Sequence, residues 1–471
     1  MNDSESYTLA LDQGGHASRA LAFDARGRVI GQAAETVATH RDGERVEQDP
    51  EEMVASLAAA ARRITADIGH CHAAGLATQR SSIVCWERDT GRALTPVLSW
   101  QDRRAAERLL PLEAHKEQVG RITGLRLSPH YGASKLAWCL DNVPAVRRAR
   151  KRSNLAAGPL ASFLLARLLE EEPCLADPAN AARTLLYDRQ QYDWSDPMLS
   201  MFGLPRDMLP EAVPSRHRFG HLALDGAATP LTVCTGDQSA ALFAAGSPAP
   251  GTVVVNAGTG VFLQQAVSAA ANPGKLLAGL AWHGVATTVH TLEGSVNGGG
   301  AALTQVARQE GIAERDMLDR LPEALDENRE PPLFLNGVGG LGSPFWRPRF
   351  GTRFVGRGDP GTRLAAVVES IAFLVRINLE AMNAVGAPVR RIVLTGGLAR
   401  LDGFARRLAI LGGVPVERPV TTEATARGLA WLVAGRPSAW RVATGQRDEP
   451  GEDAALERRY RRWRRAMDAA L

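Results

Sequence analysis

The sequence is short of paired cysteines, of lysine, of net charge and of long apolar runs. Its five cysteines, Cys71, Cys85, Cys139, Cys174 and Cys234, are odd in number, widely spaced and without a CxxC pair. That excludes a disulfide framework and a structural zinc site and fits a reducing cytoplasm. No stretch approaches the ~18 apolar residues of a membrane span. The opening MNDSESY lacks the basic region and apolar core of a secretory signal, so the expected location is cytoplasmic, with no membrane partner. Basic and acidic residues number 55 and 51, and the resulting charge of +4 gives no support to a nucleic-acid or membrane-surface binder. Only four of the 55 basic residues are lysines (Lys116, Lys135, Lys151, Lys275), so arginine is the default cation and a lone arginine reads as surface solvation. A Walker A loop is missing too: the one Gly-Lys pair, Gly274-Lys275, is followed by Leu276.

What is present is an ordinary soluble composition, 45% hydrophobic and 23% charged over 471 residues, which at ~100–200 residues per domain predicts two to four domains. TLALD, a turn at Gln13-Gly14-Gly15, RALAFD, a turn at Ala25-Arg26-Gly27 and RVIG predict a β-meander. Asp49-Pro50-Glu51-Glu52 predicts a helix start, with Asp49 as N-cap and carboxylates at the positive dipole end. GLATQ and SIVCWE read as two further strands. After the small and Pro-rich GSPAPG, TVVVN, Gly258-Thr259-Gly260 and VFLQQAV repeat the strand, glycine turn, strand order of the beginning. RIVLT then meets Gly396-Gly397 and the helical GFARRLAILGG. Two α/β domains meeting near residue 245 are expected, 1–245 and 246–471.

Glycine turns at strand ends leave backbone N–H groups free for anions. A formal GxGxxG at Gly337, Gly339 and Gly342 continues as Ser343-Pro344-Phe345-Trp346-Arg347-Pro348, which cannot be the helix a dinucleotide needs. The turns at Gly14-Gly15, Gly258-Thr259-Gly260 and Gly396-Gly397 remain, each weak alone. Carboxylates accompany them: Asp12 adjoins the first, and Asp237-Gln238 precedes the domain junction. One Asp holding Mg²⁺ while the other takes a proton from a hydroxyl is the division that phosphoryl transfer requires.

Taken in order, LALDQGGHASRALAFD, VEQDPEEM, GLATQR, LSWQDRR, TGLRLSP, ASKLAWCLDNVP, NAARTLLYD, WSDPMLSMFGLPRDMLPE, GDQSAALFAAG, NAGTGVFL, LEGSVNGGGAAL, GLGSPFW, VVESIAF, LTGGLAR and LGGVPVERP cover nearly the whole chain. With them the chain resembles the FGGY carbohydrate kinases, and within these the glycerol kinases. The resemblance implies a pair of actin-like (ribonuclease-H-like) α/β domains with an ATP and substrate cleft between them. It implies ATP-dependent phosphorylation of a hydroxyl of a small polyol or sugar, with ATP and Mg²⁺ as cofactors. It also implies roles: Asp237 as catalytic base and substrate ligand, Gln238 beside it, Arg80 as substrate-binding arginine, and Trp100 and Phe262 as apolar pocket walls. Asp12 is then the metal-associated carboxylate. Gly14, Gly15, His16 and Arg19 form and follow the first phosphate hairpin, and Gly258, Thr259, Gly260, Gly300, Gly396 and Gly397 are nucleotide-facing. A homodimer and a homotetramer both stand open as assemblies.

The chain departs from glycerol kinases in two places. Their first loop reads Gly-Thr-Thr-Ser-Ser, where this one has Gly14-Gly15-His16-Ala17-Ser18. His16 then stands either as a replacement donor or as a solvent-facing turn residue. In the pocket, their glycerol-binding Glu is Ser81, and their Tyr aligns with His130 in Pro129-His130-Tyr131. Losing a carboxylate that accepts two hydroxyl protons costs several kcal/mol for the same ligand if those hydroxyls stay unpaired. Glycerol is the best single candidate, and other polyols or ketoses taken together are favoured over it. A catalytically weak homologue that binds sugar or nucleotide as a sensor or scaffold is the alternative, motivated by the depleted loop and pocket.

Blander readings compete for several residues. Asp237 alone would be a turn residue capping SAALFAA. His70-Cys71-His72 is not expected to bind metal, since i and i+2 project differently and no second cluster follows. The basic runs Arg147–Arg152 and ERRYRRWRRAM read as solvated helix faces, with Tyr460, Trp463 and Met467 as a packing stripe.

Overall fold

The computed structural model describes residues 6–68, 71–224, 228–268, 271–325, 330–420, 423–440 and 445–471. The chain divides into two compact units. Unit 1 comprises Met1–Ser247, Ala278–His290 and Glu423–Arg441, and unit 2 comprises Pro248–Leu277, Thr291–Thr422 and Val442–Leu471.

Unit 1 is built on the expected meander. β1 (Tyr7–Gln13), β2 (Ala17–Phe23) and β3 (Val29–Thr36) run antiparallel in sequence, and β4 (Cys71–Thr78) lies parallel to β1 on its other side. β5 (Arg216–Leu222) and β6 (Thr229–Gly236) complete the sheet in the order β5-β6-β4-β1-β2-β3, with β6 parallel to β4. β1 is buried along its whole length, as a central strand covered on both faces must be. One face takes helix Pro50–Ile68, whose Met53, Leu57, Ala60, Ala61 and Ile64 form the buried stripe. It starts as predicted, with Asp49 Oδ1 accepting from the backbone N–H of Glu51 at 2.8 Å. The helix Ala424–Val433 packs against β1 and β4. Gly75 in β4 admits it, because a methyl group there would lie 2.6 Å from Val433 Cγ2. A second, five-stranded antiparallel sheet contains Arg45–Gln48, Val97–Leu98, Ile83–Glu87 and Leu155–Pro159.

Unit 2 repeats the plan. β7 (Thr252–Ala257) and β8 (Val261–Val267) form an antiparallel hairpin, and β9 (Arg391–Thr395) lies parallel to β7. β10 (Val416–Arg418) and β11 (Gln446–Asp448) continue the sheet, β10 parallel to β9 and β11 antiparallel to β10. The 26-residue helix Pro360–Val385 is the spine of this core, capped by Asp359, whose Oδ1 accepts from Thr362 N–H at 3.0 Å. Its Glu369 is buried between Arg459 (2.9 Å to Nε) and Arg407 (3.3 Å to Nε), binding the spine to helices Ala454–Asp468 and Asp402–Gly412.

Tyr460, Trp463 and Met467 are buried, while Arg458, Arg461, Arg462 and Arg465 face outward. Arg147, Arg148, Arg150, Lys151 and Arg152 are likewise exposed, on and just after helix Pro144–Lys151. The first run is therefore a solvated face, and the second is one except at Arg459, which is buried on Glu369. The segment after Gly337 holds no helix; Leu341 and Arg347 pair there in an isolated bridge, so the dinucleotide reading stays discarded. His70 lies outside the described residues, while Cys71 is buried and His72 exposed on β4. Among the described residues no helix is long and apolar enough to cross a membrane.

Candidate active site

Register brings the unit 1 residues together. Gln13 pairs with Thr78 and Thr78 with Gly236, so β1, β4 and β6 end side by side. The carboxyl ends of neighbouring parallel strands are where α/β sheets gather ligands. Asp12, Gln79-Arg80 and Asp237-Gln238 all lie at this edge.

Asp12 is 4% exposed. It faces Arg19 across the β1–β2 hairpin, Oδ2 to Nη1 3.6 Å. Burial pushes its carboxyl up to about 7, the negative charges of Asp237 and Glu423 push the same way, and Arg19 opposes them. Carboxylates crowded at a buried strand end fit a divalent cation, whose charge relieves their repulsion. Among the described residues no group of three or more His, Cys, Asp or Glu is arranged to hold a metal. Mg²⁺ takes one or two carboxylates and completes its shell from water and phosphate oxygens, so Asp12 is of a type that could hold it.

Asp237 stands inside the first turn of helix Asp237–Ala241, with Gly236 at the N-cap and its own Oδ1 accepting from Gln238 N–H at 2.6 Å. Its carboxylate thus accepts one first-turn N–H of the helix it opens, one position inside the N-cap. This short helix is crossed by Ala424–Val433 at Gly428, where a methyl group would collide with the carbonyl oxygen of Ala240. Thr425 Oγ1 reaches the Asp237 carbonyl at 3.4 Å. Arg80 is drawn to the same place: its stem lies over Gly236, where a methyl group would sit 2.5 Å from Arg80 Cδ.

The first glycine turn is tight. Gly14 N–H donates to Ala17 O at 2.9 Å, and Gln48 Nε2 donates to Gly15 O at 2.7 Å. Gln79 braces Gln48 through a 2.8 Å hydrogen bond and donates its own N–H to Gln13 O at 2.8 Å. His16 is exposed.

Beside Arg80, Ser81 is buried in the left-handed region at φ 66°, and its hydroxyl has no hydrogen-bond partner. Such a conformation costs a non-glycine residue about 1–3 kcal/mol and persists only where its surroundings hold it. Trp100 and His130 lie with ring centroids 5.5 Å apart, and His130 meets Tyr131 edge-on at 4.9 Å. Burial, followed by the charges of Arg103, Lys135, Arg183 and Arg80, drives the His130 imidazole well below its usual range, so the ring is neutral. Trp100 N–H donates to Ser82 Oγ at 3.1 Å, and the buried Asp102 accepts from Val46 N–H at 2.8 Å and pairs with Arg104.

In unit 2 the remaining glycines converge. Gly258 N–H closes the turn on Gly260 O at 2.9 Å, and Gly300 and Ala301 N–H donate to the carbonyls of Gly258 (2.8 Å) and Thr259 (3.1 Å). Gly396, at φ 89°, leaves a methyl group only 2.5 Å from Ala257 O, whereas one on Gly397 would meet nothing within 4 Å. β7 and β9 are parallel neighbours, Asn256 opposite Thr395, so both turns sit at one sheet edge, as Gly14 and Asp237 do in unit 1. Phe262 lies on β8 opposite Asn256, in this unit, and is 38% exposed.

Local pattern missed three residues. Glu423 acts on Asp12 from the far end of the sequence and carries no local signal. Gln48, in VEQD, braces the first turn. Lys135 is wholly buried, which its apolar setting in ASKLAWCL could have indicated.

The chain matches the FGGY family of carbohydrate kinases, the N-terminal domain model over residues 7–244 and the C-terminal domain model over residues 253–435. It is 36% identical to a glycerol kinase of Thermus brockianus, covering 98% of each chain. In fold it is similar to the crystal structure of Plasmodium falciparum glycerol kinase with ADP, with a TM-score of 0.89 at 20% identity, covering 99% of this chain and 98% of that one. A xylulose kinase from Rhodospirillum rubrum superposes with a TM-score of 0.87 at 19% identity over 98% of both chains. With both domain models matched in order along the chain, and with this similarity end to end, the protein belongs to the FGGY family of carbohydrate kinases and phosphorylates a polyol or sugar from ATP.

Proposed function

We propose that the acceptor is a polyol or ketose longer than glycerol, held by Arg80, Ser81, Trp100, His130 and Gln238 and deprotonated by Asp237. The observation that carries this reading is Ser81: a buried hydroxyl without a partner, beside Arg80. Where glycerol kinases have a glutamate, a serine leaves more room and one neutral donor and acceptor. A neutral imidazole at His130 also offers one donor and one acceptor, which suits a hydroxylated chain, and the Trp100 face suits its carbon skeleton.

In the reaction, the acceptor hydroxyl gives its proton to Asp237 as its oxygen bonds to the γ-phosphorus, and the bond from that phosphorus to the β,γ-bridging oxygen breaks, releasing ADP. Arg19 and the Gly14-Gly15 turn hold phosphate. The turns at Gly258, Thr259 and Gly260, at Gly300 and at Gly396-Gly397 hold the nucleotide, and Phe262 is an apolar wall for the acceptor. Asp12 holds Mg²⁺, which offsets phosphate charge when bound.

An ADP-release assay across glycerol, tetritols, pentitols, ketopentoses, ketohexoses and aldonates tests the acceptor. The expected result is a higher kcat/KM for a polyol or ketose of four or more carbons; an equal or higher value for glycerol overturns it. Asp237→Asn should lower kcat by about 10²–10⁴-fold without changing the melting temperature by more than a few degrees. Retained turnover in that variant would remove Asp237 as the base. A sensor or scaffold predicts no turnover with any acceptor in the same assay.

A further inference from the structure

Lys135 is one of the chain's four lysines and is completely buried, on helix Gly132–Asn142. Its Nζ donates to three backbone carbonyls, Ser81 O at 2.8 Å, Ser99 O at 2.9 Å and His130 O at 3.0 Å. These belong to three loops far apart in sequence, and each carbonyl is on, or next to, a residue of the acceptor site: Ser81 itself, Trp100 after Ser99, and His130 itself. An ammonium has three protons, and here each has one acceptor. A neutral amine would turn its lone pair toward one of the carbonyls.

Packing alone does not account for this residue. A buried cation is expensive, and an apolar side chain of the same length would fill the volume without that cost. What an apolar side chain cannot do is satisfy three buried carbonyls from separate loops at once. Ser81 sharpens the point: it sits at φ 66° with its hydroxyl unpartnered, so its side chain does not hold the backbone, and its carbonyl is tied to Lys135.

We propose that Lys135 is a positioning residue for the acceptor site: its three hydrogen bonds fix the loops that set Ser81, Trp100 and His130 side by side. This rests on the reading that those residues bind the acceptor. The charged and titratable groups around Lys135 are Arg103, Asp102, Cys139 and Arg104, together with His130, whose carbonyl it holds. Burial, then Arg103, lowers the ammonium to about 7 while Asp102 supports it.

Lys135→Met keeps the chain length and removes all three donors. The expected result is a KM for xylitol and for glycerol raised at least tenfold, with the KM for ATP within twofold of wild type. Acceptor KM values within twofold of wild type, or acceptor and ATP KM values rising together, overturn the proposal. Lys135→Gln, which keeps an N–H donor on a shorter arm, should recover part of the acceptor KM. Trp100→Ala is measured alongside: if it raises the acceptor KM and Lys135→Met does not, only the Lys135 proposal falls, whereas an unchanged KM in both removes the pocket reading as well. Should the Met and Gln variants not fold, the intact protein labelled with 15N-lysine gives the answer, since it carries four Nζ signals. Saturating xylitol or glycerol should move the Lys135 signal and leave those of Lys116, Lys151 and Lys275 in place. A Lys135 signal unmoved at saturation overturns the proposal.

Discussion

At the scale of single residues, the most consequential group is Asp12. Folding raises its pKa from 3.8 to about 7, so between those pH values the folded chain binds more protons than the unfolded one. By linkage, the metal-free protein loses stability as pH climbs from about 4 to about 7, by roughly 4 kcal/mol at most. Asp12→Asn should therefore raise the melting temperature in EDTA at pH 8 and leave it nearly unchanged at pH 4, while lowering activity. Calorimetry at the two pH values checks it; a variant that melts lower at pH 8 contradicts it. Magnesium should stabilise wild type at pH 8 and have little effect on Asp12→Asn. Residue types at this site were legible in the sequence for two reasons: Asp12 ends TLALD, which local pattern identifies as a strand, and Asp237-Gln238 stood out through the family resemblance. The charge of Glu423 on Asp12 was not, since no local rule links residues from opposite ends of a chain. His16 shows the same limit in reverse. The sequence leaves it as donor or turn residue, and only the exposed ring in the folded turn describes its surroundings.

Among elements, the crossing of Ala424–Val433 over Asp237–Ala241 bears most directly on the proposed base. Gly428 has no room for a methyl group against the carbonyl of Ala240. Gly428→Ala must therefore push one helix from the other and displace Asp237, and a shift of about 1 Å at a reacting group costs on the order of 10²-fold. The expected outcome is a kcat lowered by roughly that factor, with circular dichroism little changed; a kcat within twofold of wild type would show that the helices separate without moving Asp237. Strands and caps were the readable part of the fold. The meander, the Asp49 cap and the Tyr460, Trp463, Met467 stripe all follow from period and capping chemistry that act over a few residues. Helix crossings were not readable, because Gly75 and Gly428 look like ordinary glycines until the opposing surface is known.

For the whole molecule, one plan, a hairpin whose first strand gains a parallel neighbour, is used twice. Of the proposed site residues, unit 1 carries Arg80, Ser81, Trp100, His130 and the Gly14-Gly15 turn, and unit 2 carries Phe262 and the glycine turns proposed for the nucleotide. Gly396→Ala, strained at φ 89° and crowded against Ala257 O, should raise the KM for ATP by tenfold or more and leave the acceptor KM within twofold. Trp100→Ala should do the opposite, and initial-rate kinetics with each substrate varied in turn distinguish them; the two KM values moving together in either variant would contradict the roles proposed for Gly396 and Trp100. The repeat was visible in the sequence as TVVVN, a glycine turn and VFLQQAV. The assignment of 423–441 to unit 1 was not, for its strand-covering helix is an apolar segment like many others. That assignment carries a consequence for biosynthesis. The helix that covers β1 and β4, together with Glu423, leaves the ribosome after most of the chain. Until then the central strands of unit 1 present an uncovered apolar face, and Asp237 lacks the helix that braces it. Nascent or prematurely terminated chains are thus incomplete at the edge that carries the proposed base and expose apolar surface of the kind that aggregates, although nearly all of their strands are already made.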